Sequence, residues 1–82
     1  MTKNLILNLR IQGRKENYDI EVSEEITAYE LIYGLNEAYD LEIDVNDITK
    51  SFLRTENPIS LLRGDKKLYE FGLHNGTIIN VI

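Results

Sequence analysis

The chain has 82 residues, 43% of them hydrophobic, no cysteine and a formal net charge of −5 at pH 7. That length suits one small domain, residues 1–82, near the lower size at which a packed core is enough. The missing cysteines exclude disulfides, thiolate metal sites and thiol nucleophiles.

The segment "NLILNLRI" puts Leu5, Leu7, Leu9 and Ile11 on one side and Ile6, Asn8 and Arg10 on the other. Period two predicts a strand with one buried face. "QGRKEN" is a polar turn, and "YDIEVS" alternates again with Tyr18, Ile20 and Val22 against Asp19, Glu21 and Ser23. Two alternating runs around a glycine turn predict a β-hairpin. "EITAYELIYGLNEAYD" then changes to helical spacing. Thr27 and Glu30 form a capping box, with Ile26 and Leu31 placed as a hydrophobic staple. At about 100° per residue, Ala28, Leu31, Ile32, Leu35, Ala38 and Tyr39 share the core side, and Tyr29, Tyr33, Asn36 and Asp40 share the other. Gly34 in the helix costs roughly 1 kcal/mol relative to alanine.

"DLEIDVNDITK" is a connector anchored by Leu41, Ile43 and Ile48. "SFLRT" and "ISLL" are short strands separated by "ENP", and "RGD" is a turn. "KKLYEFGL" suits a short helical turn or a packed loop, and "HNG" leads into the last strand, "TIINVI". The first and last strands are densely apolar, which suits central positions. The expected fold is α+β, a mixed sheet of four to five strands with one main helix packed on one face.

This order and spacing resemble ubiquitin and its β-grasp fold along nearly the whole chain. "ITAYELI" and "GDKKLYEFGLHNGTIINVI" carry the resemblance most specifically. The chain is similar in particular to the small bacterial ubiquitin-like proteins of type VII secretion, the YukD/EsaB family. That resemblance implies a non-enzymatic, cytosolic accessory or regulatory component. It implies a protein partner in the secretion membrane complex, such as its ATPase. The alternative is a ubiquitin-like modifier or sulfur carrier. That role uses a C-terminal Gly-Gly, whereas this sequence ends on Ile82 and has no glycine after Gly76.

No catalytic motif stands out. His74 is the only histidine and precedes "NG", as a turn residue would. A lone imidazole with no orienting partner makes no triad. "DLEIDVNDITKS" carries Asp40, Glu42, Asp44 and Asn46 at alternate positions, but an EF-hand loop needs glycine and glutamate where Val45 and Ser51 stand. The Arg63-Gly64-Asp65 triplet reads as a β-turn. No cofactor, metal site or enzymatic activity is expected. No apolar run approaches the roughly 20 residues that span a membrane, so a cytoplasmic location without membrane insertion is expected.

Charge is unevenly spread. Residues 1–15 carry four bases and no acid; residues 16–49 carry eleven acids and no Lys or Arg. That stretch repels phosphate, so no nucleic-acid partner is expected. It gives either a solvated surface or a docking face for a basic partner. Two surfaces are candidates for protein binding. One is the outer sheet face, with Ile6, Ile78, Asn80 and Ile82, joined by either Phe52 or Leu53. The other is the outer helix face, with Tyr29 and Tyr33 one turn apart; tyrosine is favoured at interfaces because its ring buries area while its hydroxyl stays wet. Self-association through the sheet face is the other partner option.

Overall fold

The computed structural model describes residues 3–81. Its elements run β1 (Asn4–Ile11), β2 (Asn17–Ser23), α1 (Ala28–Tyr39), β3 (Leu53–Glu56), β4 (Ser60–Leu62), a 3-10 turn (Leu68–Phe71) and β5 (Ile78–Val81). The five strands form one mixed sheet in the order β2-β1-β5-β3-β4. β5 is central and pairs parallel with β1, Leu9 opposite Ile79 and Ile11 opposite Val81. It pairs antiparallel with β3 on its other side. Both terminal strands are therefore internal, as their apolar content predicts, and the fold is the α+β β-grasp.

The period-two pattern sends Leu5, Leu7, Leu9, Ile11, Ile79, Val81, Leu53 and Leu62 into the core. α1 lies over that face with Ala28, Leu31, Ile32 and Leu35 buried. Each large aliphatic side chain so buried contributes about 1.5–3 kcal/mol. Leu68 and Leu73 close the core from the segment before β5. Tyr18, Ile20 and Val22 are only half-buried, because β2 is an edge strand.

The helix start follows the predicted capping box. The Thr27 hydroxyl accepts from the Glu30 N–H, and the Glu30 carboxylate accepts from the Thr27 N–H, both at 3.0 Å. The next orphan donors at a helix N-terminus are met by tertiary structure: the N–H groups of Ala28 and Tyr29 donate to the carbonyls of Lys66 and Gly64. At the other end Asp40 adopts the left-handed conformation (φ 53°), and the Arg14 guanidinium donates to the Tyr39 carbonyl at 2.6 Å. A cation there also suits the negative end of the helix dipole.

Two assignments on the helix are corrected. Ala38 is exposed rather than on the buried face. It lies about 70° from the centre of the stripe formed by Ala28, Leu31, Ile32 and Leu35, beyond the reach of the sheet. Asn36 is half-buried rather than on the solvated side. The connector folds back past it, and its amide donates to the Ile43 carbonyl (3.0 Å) and accepts from the Ile43 N–H (2.9 Å). The strand predicted over 51–55 starts at Leu53, and Ile48, expected to anchor the connector, is 79% exposed, Leu41, Ile43 and Val45 packing against the core in its place. Leu53 is the buried member of the Phe52–Leu53 pair, at 1% exposure, and Phe52 is half-buried.

Candidate functional site

The outer sheet face is built by the residues that period two turns away from the helix. Register aligns them in rows: Arg10, Asn80, Arg54 and Leu61 across β1, β5, β3 and β4, and below them Asp19, Asn8, Ile78 and Glu56 across β2, β1, β5 and β3. Most of these polar groups bind one another. Asn80 donates to Glu56 at 2.7 Å, Asn8 donates to Asp19 at 3.2 Å, and the Arg10 Nε donates to Asn8 at 3.1 Å. The Arg54 guanidinium lies 5.8 Å from the centre of the Phe52 ring, within cation–π range.

Ile6, Ile78 and Asn80 stand together on this face. Ile6 is 48% exposed, whereas Ile78 and Asn80 are half-buried. Ile82 lies outside the described residues. Two further apolar side chains extend the surface: Ile59 is 91% exposed and Leu61 is 40% exposed. With Arg54, Thr55, Glu56, Ser60 and Asn80 they line a shallow groove of about 540 Å³. Sequence reasoning placed "ISLL" in a strand without assigning it a surface. The signal was nevertheless present, since burying Leu62 turns Leu61 outward and leaves Ile59 at the turn after Pro58.

The second surface is the outer side of α1. Tyr29 and Tyr33 stack there with ring centres 6.4 Å apart and planes inclined by 29°. They are 39% and 50% exposed. The helix brings them together because residues i and i+4 stand one above the other. Beside them Glu30 and Gly34 form a second row, and the four residues line an open notch of about 330 Å³. Nothing lies within 4 Å of where a Gly34 Cβ would stand, and its φ is not positive.

His74 and the connector carboxylates Asp44 and Asp47 serve local structure. The His74 Nδ1 donates to the Asn75 carbonyl at 2.9 Å; a carbonyl only accepts, which fixes the proton on that nitrogen. Its backbone N–H donates to the Thr77 hydroxyl, which donates in turn to the Asn57 carbonyl. In the connector, Asp44 accepts from the Asn46 N–H, and Asp47 accepts from both the N–H and the hydroxyl of Thr49. The Thr49 hydroxyl, and then its N–H, hold the Asp47 carboxyl below the usual carboxylate range. Among the described residues no three His, Asp or Glu side chains gather as a metal site. No helix among them is long and apolar enough to cross a membrane.

No family model matches the chain, and no curated protein matches it. Solved structures do. The ubiquitin-like domain of tubulin-binding cofactor B superposes with a TM-score of 0.76 at 15% identity, covering 98% of this chain and 89% of that one. The C-terminal ubiquitin-like domain of mouse tubulin-specific chaperone e gives 0.73 at 12% identity, covering 98% and 86%. The corresponding domain of Plasmodium falciparum Dsk2 gives 0.63 at 18% identity, covering 98% and 97%. At such identities the likeness is one of fold. With its hairpin, single capped helix and parallel pairing of first and last strands, the chain has the ubiquitin-like fold.

Proposed function

We propose that this chain is a non-enzymatic protein-binding module, and that it acts as a cytosolic accessory or regulatory component of a bacterial type VII secretion system. The observation that carries the binding role is the stacked Tyr29–Tyr33 pair. The core is already closed by Leu31, Ile32 and Leu35 on the opposite side of the helix. The tyrosines are therefore not needed to fill it, and tyrosine is enriched where proteins meet. Two of the similar folds belong to a tubulin-binding cofactor and a tubulin-specific chaperone, proteins described by the partner they engage. The secretion role rests on the resemblance of the sequence to the YukD/EsaB family, since fold alone does not assign function.

The partner within that reading is a cytosolic part of the secretion membrane complex, its ATPase first. Affinity purification of the tagged chain from native membranes tests this. The expected result is retention of an FtsK-like ATPase, with the genes for that ATPase and for small WXG-type substrates beside the gene for this chain. Purification without any secretion component would overturn the role. So would formation of a covalent adduct when the chain is incubated with ATP and an activating enzyme.

A further inference from the structure

We propose that the notch on α1 formed by Tyr29, Glu30, Tyr33 and Gly34 seats an arginine side chain from a basic segment of the protein partner. This deepens the binding reading above and rests on it.

Three features of the notch converge. The first is Gly34. Glycine in a helix interior is unfavourable, and here neither the backbone angle nor a close neighbour requires it. Its effect is outward, since a missing side chain at this position opens the floor of the notch. The second is the tyrosine pair, whose stacked rings form one wall. Aromatic faces attract cations, and guanidinium groups stack on them better than ammonium groups do.

The third is charge. The notch lining contains no basic residue, and the sequence from Glu16 to Asp47 contains none either. Glu30 lines the notch, and its carboxylate, turned back to the helix start, accepts through Oε1 from the Thr27 N–H. Glu37, one turn beyond Tyr33, adds a second exposed carboxylate on the same side. On the loop packed against the helix start, Lys67 is paired with Glu25 at 3.4 Å and the Lys66 ammonium lies 5.2 Å from the Phe71 ring centre. Both of these bases are thus engaged elsewhere. A planar cation set against Tyr33 and above Gly34 meets an aromatic face and open space, with the negative charge of Glu30 and Glu37 on the same side of the helix.

The test is titration of the isotope-labelled chain, followed by amide chemical shifts, with alanine-based helical peptides carrying arginine at every fourth position. Matched lysine and glutamate peptides are the controls. The arginine peptide is expected to shift the amides of residues 29–34 and to bind more tightly than the lysine peptide; the glutamate peptide is expected not to bind. Gly34→Ala is expected to raise the melting temperature yet weaken arginine-peptide binding about two- to five-fold, the range of one exposed cation–π contact. Tyr29→Ala combined with Tyr33→Ala is expected to abolish the shifts. Equal binding of arginine and lysine peptides with shifts spread over all the acidic residues overturns the proposal. So does wild-type affinity in Gly34→Ala, which remains informative even if the double variant fails to fold. Capture of the secretion ATPase without arginine-peptide binding would sink this inference and leave the proposed function standing. Arginine binding at the notch without any secretion component would do the reverse.

Discussion

Asn36 ties the helix to the chain that follows it through both ends of one amide. Each half-buried bond is made within one residue pair, so removing the side chain leaves the N–H and carbonyl of Ile43 without that partner. Asn36→Ala should destabilise the fold by about 1–3 kcal/mol, the cost of stranding partly buried backbone groups, measured by urea unfolding. Asp47 provides a test by pH. Its carboxyl is held low by Thr49, so its contribution to stability is present above the unfolded pKa and is lost as pH falls through the lower folded value. Thr49→Ala should move the Asp47 carboxyl titration upward, read from its side-chain carbon shifts. Asn36 was not legible in the sequence, because nothing local announces that the connector returns to it. Leu53 was more legible than the ambiguity with Phe52 suggests. Phe52 shares the parity of Arg54 and Glu56, which face solvent, and Thr55 opposite the buried Ile79 confirms the phase.

At the scale of elements, the strongest signals were periodic or chemical. The capping box, the β1–β2 hairpin and the paired apolar termini all follow from residue spacing, and the register makes them one sheet. Boundaries were harder. β3 and β4 are four and three residues long, too short for alternation to fix their ends. The two faces of α1 make opposite predictions. Leu31→Ala should cost about 2–5 kcal/mol, as for other aliphatic side chains removed from a packed core. Tyr33→Ala should lie within about 0.5 kcal/mol of the parent, as exposed substitutions usually do. Chemical denaturation of the two variants side by side checks the contrast. A large loss in Tyr33→Ala would mean that the tyrosine supports the fold, leaving less reason to read it as a contact.

Across the whole molecule, the sequence showed a uniform acidic stretch but not where its consequence would lie. The structure puts part of it around an aromatic notch on the helix, opposite the sheet. On the outer sheet face, Ile6 and Ile78 stand among two hydrogen-bonded polar sets, Asn80 with Glu56 and Asn8 with Asp19 and Arg10. Its apolar area shifts toward Ile59 and Leu61 at the β3–β4 edge. That shift was hidden because hydrogen bonding between outward side chains depends on register, which a single sequence does not specify for non-local strands. The most direct test is affinity capture from native membranes with the parent chain and with the Tyr29→Ala, Tyr33→Ala variant, at matched thermal stability. The account predicts that the parent retains the secretion ATPase and that the variant loses it; equal retention by both would contradict it.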